Sequence, residues 1–263
     1  MLLKELLVHP LAKGLDPDDP HTTLIRQRII MKKEFLRRLY QEWHRDLTAD
    51  LPSVDGPVLE IGSGAGFLQD SLPDLITSDV FFLPHLSVVL DAGAMPFGTA
   101  VLRAVLMIDV LHHLPLPRHF FTEAARCVKP GGVIVMIEPW VTPWSGFVYS
   151  RLHTEPFDPT AEQWEFPSSG PLSGANGALP WIIFQRDRTV FEESFPAWRV
   201  TGIDLGMPVS YLLSGGISMR AFLPGFAFGA VRRAETLLRP WMHGLAMFAK
   251  IVLTRRMDHL VHE

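Results

Sequence analysis

The stretch VLEIGSGAGFLQD, residues 58–70, sets Gly62, Gly64 and Gly66 at alternate positions behind an apolar run that contains one acid, Glu60. At the carboxyl end of a parallel strand, such a turn brings bare backbone against a ligand. A helix that follows aims its first N–H groups into the same crevice. Dinucleotide enzymes space these glycines G-x-G-x-x-G. Here the spacing is G-x-G-x-G, with Ser63 between the first two glycines and the large Phe67 after the last. A pyrophosphate is repelled by a carboxylate as near as Glu60, whereas a ligand with a cationic aminoacyl tail is attracted to it.

Further acids and histidines stand at the ends of later apolar runs. Asp79 and Val80 close the second run, and Asp91 and Ala92 close the third. Asp109 precedes the adjacent pair His112 and His113, Glu138 closes VIVMIEP, and His153 lies beyond it. Carboxylates at strand ends accept paired hydrogen bonds from a sugar diol, and a histidine or carboxylate nearby can take a proton. Each residue also has a structural use: the glycines in a tight turn, Asp79 as a helix cap, the histidines within a turn, Glu138 as a cap for the segment that follows. Asp109 with His112 and His113 suggests a metal triad. Adjacent strand residues face opposite ways, however, and no second acid cluster accompanies them, so no metal is expected.

Short apolar runs predict the strands that carry these residues, at 58–62, 74–80, 86–92, 104–110, 133–139, 197–205 and 247–256. Helical spacing predicts one amphipathic helix over 22–48, capped by Thr22 or Thr23, and further helices at 66–72, 118–128 and near 229–238. Strand and helix in alternation imply an open, doubly wound α/β sheet with right-handed crossovers. The organisation expected is a helical cover over 1–50 and one α/β domain over 51–263. An insertion at about 139–197, rich in Pro, Gly, Ser and aromatics, reads as a substrate lid. Its Trp140, Trp144, Phe147, Tyr149, Phe157, Trp164 and Trp181 either cover an apolar pocket or pack on the domain's own surface.

The 263 residues carry a net charge of −4, against the basic balance of a dedicated nucleic-acid binder. The basic stretch RQRIIMKKEFLRR alternates with apolar residues and reads as the polar face of a helix. No apolar stretch reaches the roughly 18–20 residues that span a bilayer. No signal-peptide centre opens the chain, and the single cysteine, Cys127, excludes an internal disulfide. A cytoplasmic protein is the expectation. Residues 222–252 are apolar but cut by Pro224, Pro240 and Gly244, which favours a final core strand and leaves peripheral membrane contact open.

The run E-I-G-S-G-A-G resembles the first motif of class I S-adenosylmethionine (SAM) dependent methyltransferases, in particular the small-molecule branch called type 11. Its companions follow in order. Asp79 lies 19 residues after Glu60, Asp91 and Ala92 precede MetProPhe, IDVLHHL matches the family's fourth-strand turn, and Lys129 to Gly132 supply its LysProGlyGly turn. The matches span about 56–140. Arg103 stands where the family often has Asp, and the connection from Asp79 to Asp91 is short.

The resemblance implies a mostly parallel seven-stranded Rossmann-like sheet and SAM as cofactor. It implies that Glu60, Gly62, Ser63, Gly64 and Gly66 meet the aminoacyl end, that Asp79 and Val80 meet the ribose, and that Asp91 and Ala92 lie near the adenine, with Asp109 close by. Methyl transfer is an in-line displacement, and a base is required only when the acceptor must lose a proton. His113 and His112 are the first candidates, then His153 and Glu138. The acceptor expected is a hydrophobic small molecule, a lipid or a glycan-related compound. Nucleic acid is not expected, because IDVLHH lacks the Asn-Pro-Pro-aromatic turn of base-methylating enzymes. Two alternatives remain: a SAM-fold protein that binds cofactor without methylating, and a nicotinamide-dependent oxidoreductase, which the glycine spacing disfavours.

Overall fold

A computed structural model describes residues 7–152 and 155–257 of the protein. Seven strands form one sheet: β1 (Val58–Ile61), β2 (Leu75–Asp79), β3 (Val88–Val89), β4 (Leu102–Ile108), β5 (Val128–Pro139), β6 (Trp198–Gly206) and β7 (Phe248–Arg255). Their order is β3-β2-β1-β4-β5-β7-β6. The first five strands are parallel, while β7 runs antiparallel between β5 and β6. This is the doubly wound α/β sheet expected. Its strand order reverses between β1 and β4, the switch point at which such sheets bind ligands beyond their carboxyl ends.

Period-two alternation sorts the apolar runs onto two cores. Val105 and Met107 of β4 and Ile134 and Met136 of β5 face α3 (Pro117–Cys127), with Phe120 and Phe121 packed among them. Ala104, Leu106, Val133, Val135 and Ile137 face the other way, against Leu36, Leu39, Trp43 and Leu47. Those four belong to α2 (Glu34–Ala49), so the N-terminal helices supply one wall of the main core.

Three local expectations are corrected. The helix expected over 22–48 is two, α1 (Pro20–Lys32) and α2, separated at Lys33, whose backbone is extended. The Lys33 ammonium donates to the carbonyls of Gly216 and Met219, and burial lowers its pKa to about 8. Reaching those carbonyls requires the chain to leave the helix for one residue. The cap of α1 is Asp19 rather than Thr22 or Thr23; its Oδ1 accepts from His21 N at 2.8 Å, with Pro20 in the first turn.

The helix expected at 66–72 does not form. Two 3₁₀ turns, Ser63–Ala65 and Leu68–Asp70, stand there. The α1 helix lies over the glycine turn instead, and Gln27 Nε2 donates to Gly66 O at 3.3 Å.

Between β5 and β6 the chain forms α4 (Pro143–Leu152), a π-helical turn Ile182–Arg186 and α5 (Arg188–Ser194). Most of its aromatics are core. Trp140 and Trp164 are buried in the α3-side core and Trp181 packs against it. Trp144 donates to Pro208 O, while the exposed Phe147 carries Arg151 over its ring.

Trp43 touches Tyr40, Tyr211 and Phe248 and is fully buried. Trp43→Ala is expected to cost about 3–5 kcal/mol, measured as a lower urea midpoint at unchanged slope. A surface-like loss below about 1 kcal/mol contradicts the placement of α2 in the core.

Candidate active site

A cavity of about 360 Å³ opens at the carboxyl ends of β1, β2, β3 and β4. The glycine turn forms its floor. Gly62 has φ +75°, and a Cβ there would lie 2.4 Å from Val110 Cγ2, so only glycine serves. At Gly64 a Cβ would lie 2.5 Å from Asp79 Oδ2 and 2.6 Å from Thr23 Cγ2. At Gly66 the nearest atom would be 3.5 Å away. Gly62 and Gly66 therefore present bare backbone to the cavity, while Ser63 and Gly64 lie beneath it as supports. Ser63 Oγ accepts from Ser78 N at 3.1 Å, which ties the turn to β2.

Acids surround this floor. Asp79 Oδ2 accepts from Gly64 N at 3.2 Å and its Oδ1 from Phe81 N at 3.1 Å. A carboxylate has about four acceptor positions, and with Val80 N–H also directed at this one, acceptor capacity remains for a ligand. Asp91 accepts from Gly93 N and stands with Ala92 and Val80 at the rim. Burial raises the pKa of Glu60 to about 7 and that of Asp109 to about 7, and raises that of Asp79 as well. A cavity with several buried carboxyls held partly protonated gains most from a cationic ligand.

The far wall is the turn after β4. Glu138, fully buried, accepts from Val110 N at 2.8 Å and from Leu111 N at 2.7 Å through Oε1, and its Oε2 pairs with His112 Nδ1 at 2.7 Å. It does not line the cavity; it holds the turn that does. Burial opposes charge on His112, but the carboxylates of Glu138, Glu155 and Asp109 together outweigh it and raise the imidazole to about 10. Its neighbour moves the other way. Burial, with the His112 charge beside it, lowers His113 to about 4. Neutral His113 donates from Nδ1 to Gly174 O at 3.2 Å, which leaves the Nε2 lone pair 4.0 Å from Glu155 Oε2. Glu155 also lies 3.8 Å from His112 Nε2. The acids missing beside the histidines in sequence thus come from β5 and from the segment after α4. His112, His113 and Glu155 bring donor atoms within 4.8 Å of one another, as do Asp109, His112 and Glu138. His153 lies outside the described residues.

Several wall residues escaped the sequence reading. All three tyrosines of the chain, Tyr40, Tyr149 and Tyr211, line this cavity, with Phe157 and Phe248. Tyr149 had been singled out only as one aromatic of the insertion. Thr23 and Arg26 reach the cavity from α1, and His44 from α2. His44 is buried, neither ring nitrogen has a hydrogen-bond partner, and burial lowers its pKa to about 4. The one available signal was Tyr40 and His44 four residues apart on the apolar face of a helix. Asn176 was also missed. Its N–H donates to His112 O at 2.9 Å and its side chain accepts from Asp158 N, pinning the insertion to the histidine turn.

Residues 59–136 match a family model described as a methyltransferase domain. No curated protein sequence matches the chain. Among solved structures, it is similar to a chain of the Haloferax volcanii complex between the Trm112 methyltransferase activator and a methyltransferase. The identity is 14%, the TM-score is 0.52, and 92% of this chain and 98% of that one are covered. It is also similar to geranyl diphosphate C-methyltransferase from Streptomyces coelicolor A3(2), at 13% identity and TM-score 0.51, covering 95% of this chain and 91% of that one. At such identities the likeness carries the fold. The matched segment is a methyltransferase domain of the class I, SAM-dependent kind, and SAM is the cofactor of that domain.

Glu60 yields a test with two readouts. In the unfolded chain its carboxyl ionises near 4.5, in the fold near 7, so folding stability falls as pH rises between these values and stays reduced above 7. Glu60→Gln removes that penalty. The variant is expected to melt higher than the parent at pH 8 and at the same temperature near pH 4, while binding SAM at least about 10-fold more weakly at pH 8. Equal melting at pH 8 contradicts the buried, desolvated carboxyl.

Proposed function

We propose that the protein moves the methyl group of SAM to a small, largely apolar acceptor that loses a proton as it is methylated. The observation that carries this reading is the single cavity that joins the glycine turn and its acids to the histidine turn, under a wall of tyrosine and phenylalanine. SAM bound there supplies an electrophilic methyl on a sulfonium.

The chain's residues provide the rest. The Glu60 carboxylate faces the amino group, bare backbone at Gly62 and Gly66 admits the aminoacyl chain, and Arg26 offers a guanidinium to its carboxylate. The unused acceptor positions of Asp79, next to Val80, take the ribose hydroxyls, and Asp91 and Ala92 border the adenine. Asp109 adds negative charge near the sulfonium. On the acceptor side Tyr149, Tyr211, Phe157 and Phe248 exclude water and hold an apolar body, with the 139–197 segment as its cover.

Of the two histidines, His113 suits proton acceptance. His112 already holds a proton against Glu138 and serves as a fixed cation, whereas His113 is neutral with Nε2 available. Glu155 beside Nε2 then stabilises the imidazolium that forms. The acceptor class is a lipid or another hydrophobic small molecule. The geranyl diphosphate C-methyltransferase of similar fold, seen in complex with geranyl diphosphate, supports that class.

Methyl-labelled SAM incubated with the protein and a fractionated cell extract is expected to place label in the organic phase, and Asp79→Ala to abolish it. Label only in aqueous products redirects the acceptor to polar metabolites. SAM binding without transfer to any fraction favours the non-catalytic alternative. Once the acceptor is in hand, His113→Gln is expected to lower kcat by about 10²-fold or more while SAM affinity is unchanged. Unchanged kcat removes His113 as the base.

A further inference from the structure

The segment after β6 contains a surface that methyl transfer does not use. It comprises the 3₁₀ turn Gly225–Ala227, the helix α6 (Phe228–Leu237) and the 3₁₀ turn Arg239–Trp241. Phe226 is 84% exposed, Leu237 75% and Trp241 60%. Single exposed apolar residues are ordinary, but three of this size within one short element are not. Phe226, Ala230, Arg233, Leu237 and Trp241 recur at steps of three and four, the spacing of one helical face, and all five are exposed.

The charge on this face has one sign. Between Gly206 and Met257 the sole acid is Glu235, in a chain whose net charge is −4. Glu235 is buried, accepts from Val209 N at 2.9 Å and Ser210 N at 2.7 Å, and pairs with Arg232. Arg232 is further neutralised by Glu42. Arg233 and Arg239 stay exposed, with no acidic partner among the described residues. Exposed aromatic and aliphatic side chains interleaved with arginine suit the headgroup region of a bilayer. No helix among the described residues is long and apolar enough to cross a membrane, which leaves a position in the plane of the surface.

We propose that α6 and its flanking turns dock the protein on an anionic lipid bilayer. Phe226, Leu237 and Trp241 enter the interface while Arg233 and Arg239 meet lipid phosphates. The buried Glu235 also links this surface to the cavity. Its bonds to Val209 and Ser210 join α6 to the helical turn Ser210–Ser214, which carries Tyr211 into the cavity wall. The docking helix is thereby tied to one wall residue of the cavity. The surface stands apart from the catalytic reading and can be tested without an acceptor.

The test is co-flotation of the full chain with vesicles of phosphatidylcholine alone or mixed with phosphatidylglycerol. Binding is expected to the mixed vesicles, weakening with salt. The exposed-face variants Phe226→Ser/Leu237→Ser/Trp241→Ser and Arg233→Glu/Arg239→Glu are each expected to lower partitioning by about 10-fold or more, with melting temperature and SAM binding unchanged. Parent protein that does not float with the mixed vesicles overturns the proposal, as does flotation unaffected by both variants. If the parent dimerises in analytical ultracentrifugation and the triple serine variant is monomeric without any difference in flotation, the face is instead a contact between copies of the chain.

Discussion

One buried carboxylate holds the working end of the sheet together. Glu138 accepts two backbone N–H groups, those of Val110 and Leu111, and the Nδ1 of His112. The turn it anchors begins at Asp109 with φ +54°, a conformation that a non-glycine residue keeps only when its neighbours are fixed. Val110 in turn fills the space against Gly62 that any larger residue there would need. The glycine turn, the strained acid and the histidine pair are therefore one mechanical unit. Removing one partner strands buried donors as well as breaking a contact, which is why a single side chain matters so much here.

The same turn sets the electrostatics. Carboxyls at Glu60, Asp79 and Asp109 converge on a cavity from which burial removes most of the water that would stabilise their charge. The neighbouring histidines are driven apart in proton affinity by their surroundings. His112 pairs with the Glu138 carboxylate, whereas His113, bonded to a carbonyl, is buried beside the charge of His112. Two side chains of one type, adjacent in sequence, thus have distinct chemistry without any change in residue identity.

The sheet was legible because strands buried on both faces must be continuous apolar runs, and β1, β4 and β5 are such runs. The acids at their ends could be read for the same reason, since a strand end fixes where the next side chain points. What escaped was decided far away in sequence. The break at Lys33 depends on carbonyls at Gly216 and Met219, and no local spacing announces them. The three tyrosines meet only after α2, α4 and the turn at Ser210–Ser214 have packed. After β1 the glycines read correctly as a turn, and two 3₁₀ turns follow where one helix was expected. The aromatic insertion read as a cover is in large part core, because an apolar side chain looks the same in sequence whichever surface it meets.

The placement of α2 has a consequence for how the chain acquires its structure during synthesis. Trp43 of this helix rests on Met207, 164 residues further along, and on Tyr211 and Phe248 beyond it. Strands β4 and β5 cover part of the helix's apolar stripe, but Trp43 is sealed only once β7 joins, and closing so long a loop slows folding. A nascent chain without β7 therefore still exposes one face of Trp43.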